Sequence, residues 1–377
     1  MTTHVFIVDH QSFPCHLRYL FAGTGAKDKD VDFNNNADSI LYDSKHSAAE
    51  RGLVAMMADC CRVRKGDYVI FYLQATAGQE GRFYGVFQVS GEPFLDRFGN
   101  QYLLSELGKN LTFRVPIAPY QVYAKGITEW QALDEIRNIS SPNQMLWSLI
   151  YRKLKGNRGN TMITIYESER LIDLIRRENN YVTLPHSPSF SFFNNEIRPE
   201  QALFSYCGRK EDFNILPRLT ALKKVNRACE SHLQMYLAQN IGRNNIIDEA
   251  LGINKDSVEW IGNEVSCGVG MQRIDIMLSL KIQDTEKIVM PIELKDVPAS
   301  PYNLNQLSRY INWIEQYYIP NRPSTIQPVL ICTPGGLDCI KQNITNFNNL
   351  GKSKYLPLIY IEYSLTPQGL IFQRIQY

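Results

Sequence analysis

Two apolar runs, RIDIMLSL (Arg273 to Leu280) and KIVMPIELK (Lys287 to Lys295), lie six residues apart in this chain. Each reads as a strand, and the polar stretch around Gln283 to Glu286 reads as a short hairpin between them. Three charges interrupt them: Asp275 in the first run, Glu293 and Lys295 near the end of the second. Side chains alternate along a strand, so Glu293 and Lys295 share one face while Leu294 points the other way. The hairpin brings Asp275 beside them. Acidic and basic residues are common on exposed strands, and D…ExK occurs by chance in many chains. Here the flanks are apolar, so a solvated face fits poorly, and buried carboxylates need a reason such as a metal. Two carboxylates make a hard oxygen site of the kind Mg²⁺ takes. A lysine beside them orients an attacking water and stabilises its deprotonated form, which is equipment for metal-assisted phosphodiester hydrolysis.

The surroundings extend the pattern. NRACESHLQMYLAQN reads as an amphipathic helix that carries Glu230 ahead of the strands. After them, LNQLSRYINWIEQYY reads as a helix with an apolar stripe of Leu304, Leu307, Ile311, Ile314 and Tyr318; Gln306 and Tyr310 lie one turn apart beside it. SVEWIGNEV, VLICTP and YLPLIYIEYSL complete an α/β domain.

The 377 residues suggest two domains. A hydrophobic content of 44% with 21% charged residues is that of an ordinary globular protein, with cores large enough to need no disulfide. No apolar run is long enough to cross a membrane. Asp9 and His10 break the N-terminal stretch, so no signal peptide is expected. The eight cysteines form no C-x-x-C pair, which points to reduced thiols, no zinc and a cytoplasmic location. His4, His10 and His16 do not read as a metal cluster. A net charge of +2 leaves nucleic-acid binding to a local basic face.

In the first half, VFIV, YVIFYL, FYGVFQV, LTFRV and MITI read as strands, with QATAGQEGR a hairpin loop between the second and third. SAAERGLVAMMADC reads as a helix with Ser47 as N-cap and Glu50 completing a capping box. Three prolines with clustered Ser and Asn place a linker at 186–200, between domains at 1–185 and 201–377. Phe190, Phe192 and Phe193 imply that this linker packs against something.

The order of a helix with Glu, then Asp, Glu-x-Lys and Gln-x-x-x-Tyr resembles the PD-(D/E)xK nuclease superfamily. Across ESHLQMYLAQNI, GVGMQRIDIMLSL, VMPIELKD and NQLSRYINWI, it resembles the catalytic domain of NucS-type (EndoMS) endonucleases. The resemblance covers about residues 226–318 and implies a restriction-endonuclease-like α/β fold. It implies Asp275 and Glu293 as metal ligands for Mg²⁺, with Mn²⁺ substituting, and Lys295 as the catalytic lysine. Glu230 and Gln306 would support them, with Tyr310 as a further carry-over. MQR stands before IDIML where the family has a tighter G-R-I-D, which bears on the loop and not on the carboxylate. No catalytic position is lost.

GDYVIFYLQATAGQEGRFYGVFQV and LIYRKLKGNRGNTMITIYESERLIDLI resemble the PUA-like superfamily, in particular EVE and YTH domains. This implies a β-barrel with helices over about residues 1–180, with an aromatic-walled pocket for a modified base. Tyr42, His46 and Ser47 stand where such folds line their pocket. Trp130 is either a second wall or a core anchor, and His46 either a base reader or a plain loop residue. Arg152, Lys153, Lys155 and Arg158 form an acid-free run suited to DNA phosphates or to a solvated loop, with Lys223, Lys224 and Arg227 extending the track. A reader joined to a cutter describes a modification-dependent restriction endonuclease acting on double-stranded DNA, easiest as a homodimer. A sequence-specific restriction enzyme, a mismatch or branch repair nuclease, and a non-catalytic nucleic-acid-binding protein are the alternatives.

Overall fold

The computed structural model describes residues 1–25, 47–96, 101–134, 139–141, 145, 159–267, 272–282, 287–320, 322–367 and 369–377, without the side chains of residues 47–49. The chain is mixed α/β and divides into two compact units that meet in sequence at Phe213 and Asn214.

The first unit is built on a curled sheet. Its strands are β1 (Thr3–Val8), β2 (Phe21–Thr24), β3 (Tyr68–Leu73), β4 (Arg82–Val89), β5 (Phe94–Leu95), β6 (Phe113–Pro119), β7 (Ile127–Thr128) and β8 (Asn160–Ile163). They run in the order β2-β6-β4-β3-β1-β8, with β5 on β6 and β7 on β4. Helices α1 (Phe13–Tyr19), α2 (Ser47–Cys61), α3 (Leu104–Leu107), α4 (Glu129–Asp134) and α5 (Ile165–Glu178) accompany the sheet. The MITI run stops as a strand at Ile163, because Thr164 and Glu167 cap α5 reciprocally, each side chain taking the other's backbone N–H. The five expected strands all form, and β3 and β4 pair antiparallel across the QATAGQEGR loop.

The expected linker at 186–200 is instead part of the first unit. Strands β9 (Ser189–Phe193) and β10 (Glu196–Glu200) form an antiparallel hairpin with Phe192 opposite Ile197. Its two-residue turn is Asn194-Asn195, both at positive φ (51° and 59°), a conformation asparagine tolerates and hairpin twist favours. Phe190 and Ile197 are fully buried. Phe192 meets Phe13 edge-on at 4.9 Å between ring centres, and Phe190 meets Phe87 at 6.0 Å. The turn chemistry was legible as a break in pattern; what overrode the linker reading is the apolar alternation on both sides of it. The unit then continues to Phe213, whose ring lies 6.1 Å from that of Phe113.

The second unit holds the sheet β11-β12-β13-β15-β16-β17, with β14 on β13. These are β11 (Val258–Ser266), β12 (Arg273–Lys281), β13 (Lys287–Pro298), β14 (Thr325–Ile326), β15 (Val329–Thr333), β16 (Ile359–Thr366) and β17 (Gly369–Arg374). Its helices are α6 (Leu216–Lys224), α7 (Glu230–Asn240), α8 (Asn245–Leu251), α9 (Pro301–Trp313) and α10 (Leu337–Leu350). The period of two divides the central strands cleanly. Ile276 and Leu278 of β12, Met290, Ile292 and Leu294 of β13, and Val329 and Ile331 of β15 share one core with Leu233 and Leu237 of α7. Asp275, Ser279 and Glu293 have the opposite parity, and α9 with the wide turn after it partners two of them: Tyr310 for Glu293, Tyr318 for Ser279. The charged residues therefore sit between the sheet and a helix.

Candidate active site

The register of β12 against β13 builds the site. Ile276 stands opposite Ile292, and the ladder ends there. One residue further, where Asp275 and Glu293 come next, the Asp275 carboxylate accepts the Leu294 N–H at 2.8 Å. A carboxylate replaces a carbonyl in the ladder, which fixes it at the end of the paired strands. From the other side Gln234 of α7 donates to the Asp275 carbonyl at 2.7 Å. Asp275 is held through both its backbone and its side chain.

Glu293 is fully buried. The Tyr310 hydroxyl donates to its Oε2 at 2.9 Å, and the Lys295 ammonium lies 2.8 Å from its Oε1. Lys295 also reaches Glu230 Oε2 at 3.4 Å and donates to the Leu294 carbonyl at 2.6 Å. Glu230 opens α7, where a carboxylate suits the positive end of the helix. The Cys229 N–H just before it is taken by the Asp296 carboxylate at 2.7 Å, so the residue after Lys295 ties the start of that helix to the strand. Helix α9 begins at Pro301, with Asn303 accepting from the Ser300 N–H at 2.8 Å, and its buried stripe of Leu304, Leu307 and Ile311 turns Tyr310 towards Glu293.

Burial and the neighbouring Glu293 push the Asp275 carboxyl well above its usual range, against the pull of Lys295 and of the Leu294 N–H. Burial likewise raises Glu230, with Lys295 opposing. Burial alone would lower the Lys295 ammonium, but Glu293 and Asp275 outweigh it and hold its pKa above the usual lysine value. Cys267 is also buried near this charge, and burial pushes its thiol up to about 12.

This set fits a hard divalent cation. Its donors are carboxylate oxygens, and the buried Glu293 Oε1 faces the Lys295 ammonium at 2.8 Å. Among the described residues no three His, Cys, Asp or Glu side chains gather as a metal cluster; the carboxylates at the end of the β12–β13 ladder are Asp275 and Glu293.

Five of the residues singled out from sequence come together: Glu230, Asp275, Glu293, Lys295 and Tyr310. Gln306 does not join them directly. Its side-chain oxygen accepts from Asn303 at 3.3 Å, and the helix reaches the carboxylates through Tyr310 instead. Gln234 and Asp296 escaped the sequence reading. Gln234 had a signal, four residues after Glu230 on the same helix face; Asp296 had none, since its role depends on where α7 starts.

In the first unit Trp130 is 57% exposed on α4, so it does not anchor a core; Tyr72 holds that helix by donating to Glu129 at 2.6 Å. Tyr42, His46, the Ser47 side chain, Arg152, Lys153, Lys155 and Arg158 lie outside the described residues. His4 and His16 are core residues: His4 Nε2 pairs with Asp67 at 2.9 Å and His16 Nδ1 with the Phe21 carbonyl at 2.9 Å. No protein-family model matches the chain, and no curated protein matches it.

Proposed function

We propose that this protein is a Mg²⁺-dependent endodeoxyribonuclease whose second unit is of the PD-(D/E)xK type, serving as a modification-dependent restriction enzyme. The observation that carries the reading is the junction of Asp275, Glu293 and Lys295 at the end of the β12–β13 ladder, with Glu230 and Tyr310 closing around it. One ammonium stands among three half-buried or buried carboxylates, and desolvating the excess acids is costly. A site for a divalent cation and a phosphodiester explains the excess.

In this reading Asp275 and Glu293 hold the cation, which when bound supplies Lewis acidity towards a phosphoryl oxygen and a water. Lys295 orients that water and stabilises the hydroxide by its fixed positive charge. Tyr310 keeps Glu293 in one rotamer, and Gln234 does the same for the Asp275 backbone. Such positioning is worth a large part of the barrier in hydrolytic reactions. The first unit is the reader, resembling PUA-like domains, and holds a modified base turned out of the duplex.

Incubation with Mg²⁺ and phage DNAs carrying unmodified, methylated or hydroxymethylated bases tests both parts. The expected result is cleavage of modified DNA alone, abolished by Asp275→Ala. Equal cleavage of all DNAs would keep the nuclease and remove the reader; cleavage that survives Asp275→Ala would remove the active site proposed.

A further inference from the structure

Lys223 closes helix α6, and its ammonium is held in an unusual way. It donates to the Asp296 carbonyl at 3.2 Å and lies 4.9 Å from the centre of the Tyr363 ring. The Cys229 thiol also lies against it; these contacts orient the charge, and none of them is an anionic group. The carboxylate of Asp296 is committed to the Cys229 N–H. Among the described residues, Lys223 makes no ion pair with a carboxylate. A half-buried ammonium with only neutral contacts keeps an unmet electrostatic demand for an anion.

Its place supplies the anion's identity. Asp296 directly follows Lys295, so the backbone that presents the catalytic lysine also carries the carbonyl that fixes Lys223. A site with three carboxylates repels a polyanionic strand, and a fixed cation at its edge offsets that repulsion. Lysine suits this task as a point charge that meets a phosphate from any direction. Lys224 and Arg227, its basic neighbours in sequence, are more exposed.

We propose that Lys223 binds a backbone phosphate of the cleaved DNA strand, adjacent to the phosphodiester served by Lys295, an inference that rests on the nuclease reading above. Such a contact adds affinity and register but no sequence preference.

The test measures binding of the wild type, Lys223→Met and Lys223→Arg to a DNA the wild type cleaves, across a salt series with Ca²⁺ replacing Mg²⁺. Lys223→Met is expected to weaken binding about tenfold at low salt and to lower the slope of log affinity against log salt by about one. Lys223→Arg is expected to restore the slope. Melting curves of all three proteins separate this from unfolding, since a misfolded variant would lose affinity without arginine rescue. An unchanged slope in a folded Lys223→Met protein would overturn the inference and leave the nuclease intact. A wild type that neither binds nor cuts DNA would overturn the underlying reading, and this one with it.

Discussion

Tyr310 is the side chain through which helix α9 acts on the carboxylates, and its hydroxyl is the testable part of it. Burial and the Glu293 charge raise its pKa, so it stays a donor across the whole working range. A hydrogen bond to a charged group is worth about 1.5–3 kcal/mol. Tyr310→Phe should therefore slow cleavage about tenfold or more while preserving the fold, and single-turnover rates check it. Gln306→Ala should cost less, because its side chain is bonded to Asn303 and not to the site; an equal or larger loss would show that Gln306 meets the substrate itself. Gln234→Leu should reduce the cleavage rate about ten- to a hundredfold, with little change in melting temperature. A melting loss in proportion to the rate loss would make Gln234 a packing residue.

The hairpin of β9 and β10 depends on its Asn-Asn turn. Asn195→Val forces a β-branched residue into positive φ and should destabilise the first unit by about 1–2 kcal/mol, whereas Asn195→Gly should be neutral or stabilising; urea midpoints distinguish them. The same hairpin marks where sequence reading stops. The strands carrying Asp275 and Glu293 were legible because long apolar runs with a charge at one face admit little else. The helices carrying Glu230 and Tyr310 were legible from their period. The hairpin was legible only in part: its phenylalanines implied packing, but its prolines, serines and asparagines are residues of loops, and burial of Phe190 and Ile197 outweighs them. The capping of α7 by Asp296 was invisible for a related reason: it joins residues 67 positions apart, beyond any local pattern.

The two units differ in what their buried polar groups do. In the second, the fully buried Glu293 meets Lys295 and Tyr310 at the candidate site. In the first, the buried histidines serve the core and leave a mark on acid stability. Burial lowers the His16 pKa to about 3 and lowers that of His4 as well, with Asp67 opposing. The unfolded chain, with histidine near 6.5, therefore binds more protons than the folded one below that pH. Stability contributed by the neutral histidines is complete above about pH 6.5 and falls as pH drops towards the folded value. Thermal melts from pH 7.5 downward should show a falling melting temperature, with a shallower slope in His16→Gln. An unchanged slope in that variant would place the acid sensitivity elsewhere. The boundary at Phe213 predicts further that a fragment of residues 1–213 melts cooperatively while 1–185, stripped of Phe190 and Ile197, does not.

Lys295, set between Glu293 and Glu230 beside Asp275, is proposed to serve phosphodiester cleavage. Its most direct test is the rate of Mg²⁺-dependent DNA cleavage by the wild type and by Lys295→Met, with folding verified by melting curves. Cleavage by the wild type that is lost in a folded Lys295→Met protein is the predicted result; a folded Lys295→Met protein that cuts as fast as the wild type would contradict it.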